Sequence, residues 1–455
     1  MFELAKGVSR SRDWRSAAIV SLALLVLPAT SALAQRAAEL NAGNQQGSAA
    51  APGETKVVPT IRTNIYDRLN EAQVCMDEGD NQCALEVLDR LESLRDLNNY
   101  EIAQLWNFRA FIYFDLDDLA GAIRAYETIL GLPFEDIPDG VIQSSMRNLA
   151  TLYLQDENYE KGLETYQRWM DLPTVTPNSS DWYLLATIYY QMERYADGIP
   201  AIEEAIALAN ANGSIGEESW FQLLYVFYFQ LEQTDKVIET LTFMVENWTK
   251  RDWVIALAGQ MSGQDREDET LALYEAAYEA GWLTRSTELV QLANLYLNAR
   301  SPYKAAILLD DGLADGSIDS SQVNWRLLAQ AWQLAAEHER AIPAFQRASE
   351  LSDDGDMDRM LSQSYARLAQ WDNCADAARA ALEKGGLDRT DLVQMQLGQC
   401  LMNQKRFQES LVVFQEVARD DRQAQTARRW VTFIQEQIRR EATNQEALRS
   451  LQEGI

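Results

Sequence analysis

An all-α fold is predicted for this chain: a solenoid of about ten stacked helical hairpins, finished by a C-terminal capping helix. The first reason is paired helical periodicity. Between Met146 and Pro173, Leu149, Ala150 and Tyr153 share one helix face, and Leu163, Tyr166 and Met170 recur at similar spacing beyond the turn Asp156-Glu157-Asn158. The second is side-chain size: Ala150 and Gly162 let the two backbones approach closely, and the rings of Tyr153 and Tyr166 fill what remains of the gap. The third is recurrence. One such hairpin cannot bury both faces alone, and the chain supplies others at steps of roughly 33–40 residues, near the ~34 of an ideal helix-turn-helix unit.

In chain order, residues 1–34 read as a secretory signal peptide. Lys6, Arg10, Arg12 and Arg15 make a basic start, Ala17 to Leu27 is apolar, and Ala32-Leu33-Ala34 fits a small-x-small cleavage site, predicting Gln35 as the mature N-terminus. That apolar run is too short for a stable anchor, and no second one follows, so no stable membrane insertion is expected after cleavage. Residues 35–60, rich in Ala, Gly, Asn and Gln, predict a disordered linker.

The repeat array is expected over residues 61–421. Its first hairpin sets Ala72 and Cys75 against Ala84 and Leu88, with Glu78-Gly79-Asp80 turning between. The second carries Trp106, Ala110 and Tyr113, then Ala122 and Tyr126; the third is the one described above; the fourth carries Trp182, Leu185, Ala186 and Tyr189, then Gly198 and Ile202. The fifth, Trp220 to Trp248, is irregular, with Val237 where a small residue is expected. The sixth, Trp253 to Gly281, lacks the aromatic of its first helix. The seventh has Leu292, Ala293 and Tyr296, then Ala305; the eighth Leu328, Ala329 and Trp332, then Ala341 and Phe345; the ninth Tyr365, Trp371 and Cys374; the tenth Leu397, Gly398 and Leu401, then Phe407 and Phe414. Pro200 and Pro343 fall early in second helices and read as features of local shape. Residues 422–455 change pattern: Trp430, Phe433, Ile434 and Ile438 form one stripe among arginines, which predicts a polar-faced capping helix and tail.

The order L-[AG]-x-x-Y, a small residue, an aromatic and then Pro resembles the tetratricopeptide repeat (TPR) family. Its first half recurs at Leu185-Ala186-x-x-Tyr189 and Leu292-Ala293-x-x-Tyr296, and its second at Ala122 to Tyr126 and Ala341 to Phe345. The resemblance implies a right-handed TPR superhelix with first helices lining a concave groove that binds protein or peptide partners.

Composition narrows the function. Formal net charge is −29; residues 1–34 hold four basic and two acidic residues, so their removal leaves −31. Such a chain is repelled by nucleic acid and by anionic membranes. The single histidine, His338, sits between Glu337 and Glu339 in an expected solvated turn, so a His-based triad or zinc site has one candidate only. No glycine pattern for phosphate is present. The acidic run Asp353 to Asp358 lacks the spacing and closing Glu of a calcium loop, and reads as a solvated turn ahead of a helix. No enzyme, cofactor or metal site is therefore expected. Between the core positions of the first helices lie Asn107, Arg147, Asn148, Asn294, Asn298, Arg326 and Gln330, whose amide and guanidinium groups suit a peptide backbone or carboxylate. The lysines of a TPR carboxylate clamp are not filled consistently. For an exported chain, Cys75 with Cys83 and Cys374 with Cys400 are the expected disulfides; sequence alone allows three pairings, and four buried thiols are the other reading.

The runs LEVLDRL (85–91), PYKAAILLDDGLADG (302–316), ASELSDDGDMD (348–358) and ALEKGGLDRTD (381–391) look like periplasmic TPR proteins encoded beside TonB, ExbB and ExbD components in Gram-negative bacteria. That likeness implies a periplasmic, non-enzymatic accessory to TonB-dependent outer-membrane transport, with TonB-system components as partners. A periplasmic scaffold for envelope or peptidoglycan assembly is the alternative.

Overall fold

The computed structural model describes residues 60–419 and 422–453. The expected signal peptide and nearly all of the expected linker lie outside the described residues. Twenty-one α-helices and no strand occur among the described residues, an all-helical α-solenoid. Ten hairpins, each an A helix followed by a B helix, are α1 (Thr63–Asp77) with α2 (Asn81–Glu92), α3 (Asn99–Asp115) with α4 (Leu119–Leu130), α5 (Asp139–Gln155) with α6 (Tyr159–Met170), α7 (Ser179–Gln191) with α8 (Tyr195–Ala211), and α9 (Glu218–Gln230) with α10 (Thr234–Asn247). The series continues with α11 (Arg251–Ser262) and α12 (Glu267–Glu279), α13 (Ser286–Asn298) and α14 (Pro302–Asp315), α15 (Gln322–Leu334) and α16 (His338–Glu350), α17 (Asp356–Arg367) and α18 (Trp371–Lys384), and α19 (Thr390–Asn403) and α20 (Phe407–Val417). Helix α21 (Ala424–Glu453) ends it.

All ten hairpins share one register. In nine of them a close-packing pair stands twelve residues apart across the turn, from Ala72/Ala84 to Gly398/Ser410, with only small side chains at the A position. Seven residues after the A-helix member, the chain takes a left-handed conformation: Gly79, Asp117, Glu157, Glu193, Glu232, Asp265, Arg300, Ala336, Ala369 and Lys405 all have positive φ. The next residue closes the helix with a six-residue backbone bond, as in Asp80 N–H to Cys75 O and Arg406 N–H to Leu401 O, at 2.8 and 2.9 Å. This is the Schellman closure, which satisfies carbonyls the helix end would leave orphaned. Asp80, Asp118 and Asn158 then cap their B helices, accepting from Cys83, Gly121 and Lys161 N–H.

The fifth hairpin departs from the rule but keeps the register. Tyr225 faces Val237 where small residues stand elsewhere, yet Glu232 makes the left-handed turn and Gln233 N–H reaches Tyr228 O at 2.9 Å. The sixth, with Met261 in place of the ring, turns the same way at Asp265. Pro200 and Pro343 are the sixth residues of α8 and α16, past the free N–H groups of the first turn. Each occupies the same register position on the exposed side of its helix, so the lost intrahelical bond faces solvent.

Two compact units divide the chain between Ser145 and Met146. In the first, Ile65, Leu69, Val87, Leu88, Leu91, Leu105 and Ile112 form the core of α1 to α3. Arg62, at the start of α1, grips the fully buried Glu101 of α3 through Nε and a terminal nitrogen at 2.9 and 2.7 Å. In the second unit the ring three residues past the small A-helix position ties successive hairpins together. Tyr189 accepts from Gln167 at 2.9 Å, Tyr228 donates to Glu203 at 2.8 Å, and Tyr365 accepts from Gln346 at 3.1 Å. Cations from the hairpin's own B helix lie over such rings: Lys161 on Tyr153, Lys304 on Tyr296 and Arg340 on Trp332, within 5.2 Å. Trp430 of α21 stacks on Phe414 at 5.5 Å and Ile434 is fully buried, so the first half of α21 closes the last hairpin, while residues 441–449 are exposed.

Candidate protein-binding wall

Within the second unit A helices meet A helices. Tyr183 of α7 lies against Trp220 of α9, Trp253 of α11 donates to Glu218 of α9, Arg251 of α11 pairs with Glu288 of α13, and Gln330 of α15 reaches Met360 of α17. Such contacts link α7 through α13, and α15 to α17, and these A helices are treated together as a wall. Its electrostatics differ from those of the whole chain. From α7 to α19, no A helix carries Asp or Glu beyond its first four residues. Most first-turn carboxylates meet a cation of their own, Asp181 with Arg147, Glu218 with Lys250, Asp358 with Lys384 and Asp391 with Arg389, while Glu288 and the exposed Asp252 share Arg251. The chain's acidity is loaded onto B helices, turns and helix starts.

Hydrogen bonding holds several of these carboxyls ionised. Burial of Glu218 works against its charge, but Lys250 and the Trp253 indole outweigh it and keep its pKa below the ordinary range. Arg389 lowers Asp391, and Lys304, with the Tyr296 hydroxyl, lowers Glu275. Burial first, then Glu275, pushes the Tyr296 phenol up.

The expected groove residues separate into two kinds. Arg147 is engaged in packing: it bonds Asp181 at 3.1 Å and lies over Trp169 at 5.2 Å, so its guanidinium holds two hairpins together. Asn148 beside it is half-buried, and Asn107 is half-buried on α3 in the other unit. Asn294, Asn298, Arg326 and Gln330 fall together on α13 and α15. Asn294 bonds back to Val290 O at 2.9 Å, Gln330 has only the sulfur of Met360 at 4.0 Å, and Arg326 is exposed without an ion pair among the described residues.

Sequence reasoning missed Gln363 and Gln399. They stand one residue past the small A-helix position, as Asn294 and Gln330 do, so that Asn294, Gln330, Gln363 and Gln399 occupy one register position on α13, α15, α17 and α19. The signal was available as a carboxamide directly after Ala293, Ala329, Ser362 and Gly398. All four are half-buried, and neither Gln363 nor Gln399 makes a side-chain hydrogen bond among the described residues.

Other expectations meet the structure as follows. His338 opens helix α16 instead of lying in a solvated turn; it is half-buried, with Nδ1 buried and unpartnered. The acidic run is not uniformly solvated: Asp358 is buried and accepts from Ser349 Oγ at 2.7 Å, and Gly355 sits so close to α18 that a Cβ would fall 2.1 Å from Ala381 O. Cys75 and Cys83 are paired across the first turn with Cα atoms 5.8 Å apart, and Cys374 and Cys400 join α18 to α19 at 6.0 Å. No described helix is long and apolar enough to cross a membrane.

With this geometry in place, the family profile for the tetratricopeptide repeat matches residues 182–212, the α7–α8 hairpin. The match covers that one hairpin, whose register the nine others share. Solved structures similar in fold include MamA, at 16% identity over 39% of this chain and 94% of that one, TM-score 0.33. The TPR2AB domain of yeast Sti1 in its pHSP90 complex is 13% identical over 58% and 98%, TM-score 0.33. YrrB, described as a TPR protein with an unusual peptide-binding site, is 18% identical over 42% and 99%, TM-score 0.34. No curated protein matches the sequence.

Proposed function

We propose that this protein is a non-enzymatic periplasmic scaffold that binds protein partners along its A-helix wall and serves TonB-dependent transport across the outer membrane. Tetratricopeptide repeats generally act as protein-interaction scaffolds. The observation that carries the binding reading is the segregation of charge: in a chain of net −29, the A helices from α7 to α19 carry no carboxylate beyond their first four residues. If acidity served solubility alone, it would not avoid one face. The export-type segment 1–34 and the four runs that look like TonB-associated TPR proteins support the cellular role.

Photo-crosslinking in intact cells, with the crosslinker in place of Asn298 or Leu334 on the wall, tests this. Recovery of TonB, ExbB or ExbD is the expected result. Recovery of cell-wall synthases moves the assignment to envelope assembly, and the absence of any protein adduct overturns the scaffold reading.

A further inference from the structure

We infer that α21 is a self-association surface: two copies of this chain pair their α21 helices antiparallel, about a two-fold axis that passes between Arg440 and Glu441. The inference is independent of what the wall binds. One face of α21 is already occupied, because Ala427, Ile434 and Ile438 pack with Phe414 and Val417 of α20. Beyond Ile438 the helix runs on to Glu453, and residues 441–449 are exposed. A helical stretch of that length with no packed face is marginal in water, and a second helix supplies the face it lacks.

The helix is complementary to itself. Phe433, Gln437, Glu441, Asn444 and Leu448 recur every three or four residues, on a stripe beside the packed one. Phe433 and Leu448 are 46% and 59% exposed. In an antiparallel two-fold pair, residues equally far from the axis meet. Phe433 lies seven residues before Arg440 and Leu448 seven after Glu441, so each Phe433 meets Leu448 of the second copy. Gln437 and Asn444, three residues out on either side, form two carboxamide pairs.

Charge fixes the direction. Residues 428–440 hold Arg428, Arg429, Arg439 and Arg440 against Glu436 alone, and residues 441–453 hold Glu441, Glu446 and Glu453 against Arg449. Antiparallel pairing sets the basic half of one helix on the acidic half of the other, whereas parallel pairing sets like on like. Glu436 reaches Arg439 and Arg440 within its own helix, at 3.6 and 3.1 Å. Arg428, Arg429, Glu441 and Glu446 are exposed and make no ion pair among the described residues. At the axis each Arg440 comes beside Glu441 of the second copy.

Sedimentation velocity of the full chain tests this, and a dimer forming between about 1 and 100 µM is expected. Phe433→Ser with Leu448→Ser should weaken it at least about tenfold, and Arg440→Glu about tenfold, with Glu441→Arg added to the latter restoring it. No cysteine is free among the described residues, so an introduced one reports the register. Gln437→Cys chains mixed with Asn444→Cys chains should join to each other on mild oxidation, and neither kind to itself. Circular dichroism melts check that the variants fold, since the replaced side chains are at least partly open to solvent. A chain that stays monomeric at about 100 µM overturns the inference and leaves this face to a different protein. A dimer undiminished by the double serine variant, or chains that crosslink to their own kind in place of the mixed pair, overturns it as well.

Discussion

Two stretches of the same wall, α7 with α9 and α13 through α19, are built alike and dressed differently. Both use the same register, turn and closing bond. Yet at the position that carries Asn294, Gln330, Gln363 and Gln399 in the later stretch, the earlier one has Thr187 and Val226. Around them stand Tyr183, Tyr190 and Phe229, the last 37% exposed. Core positions are bound by the need to fill a fixed gap between two helices. Wall positions do not fill that gap and are freer to change, so one scaffold can present an uncharged aromatic surface in one place and an amide-lined, cationic one in another.

If the two stretches are packed to the same density, deletions of equally buried rings should cost about the same in each. Phe227→Ala in the first and Phe345→Ala in the second remove fully buried rings, and each should lower unfolding free energy by about 3–5 kcal/mol in urea titrations. A much smaller loss at Phe227 would mean that the ring cluster around it, with Tyr190 and Tyr195 at 6.4 and 6.2 Å, collapses into the hole and packs by other rules.

Covalent ties sharpen the contrast, because the second stretch has one and the first has none. Thiol titration of the denatured, unreduced protein should find no free thiol, and selective loss of Cys374–Cys400, which spans 26 residues, should destabilise that end by about 3 kcal/mol. Acid should act on both stretches. Glu218 in the first, and Glu275 of α12 through its bonds to Lys304 and Tyr296 in the second, have folded pKa values below their unfolded ones, so their stabilisation is present above about pH 4.3 and is lost as pH falls through the lowered values. The urea midpoint should drop below pH 4, and Glu275→Gln should flatten that dependence. Smaller again is Ala336→Gly: at φ 63° the Cβ is disfavoured, and the substitution should raise stability by about 0.5–1 kcal/mol. The smallest effects belong to the wall itself, where Phe229→Ser and Gln363→Ala should each move stability by no more than about 0.5 kcal/mol while altering what binds.

The hairpins were legible because their packing is local: a small pair, a ring and a turn residue recur within one window. Even the fifth, where Tyr225 and Val237 hide the small pair, betrays itself by its rings. The packing role of Arg147 was not legible because its partner Asp181 lies 34 residues away, and nothing near Arg147 signals it. His338 was misplaced for a related reason, since the turn it seemed to occupy ends one residue earlier, at the left-handed Ala336 and Glu337. Gln363 went unseen because the ninth hairpin carries Ser362 and Cys374 at positions usually read by alanine or glycine, which obscured the register that would have aligned it with Asn294 and Gln330.

The left-handed turn has a bearing on how such a chain can lengthen. Within every hairpin the path from A to B is invariant, with the small position and its counterpart always twelve residues apart, whereas the connection from one hairpin to the next varies: Ala110 to Ala150 takes 40 residues, Ser362 from Ala329 only 33. Extra residues are thus tolerated at the outer bends and nowhere else, and inserting a single amino acid into an inner bend would rotate the whole B helix by about 100° and turn its oily stripe outward.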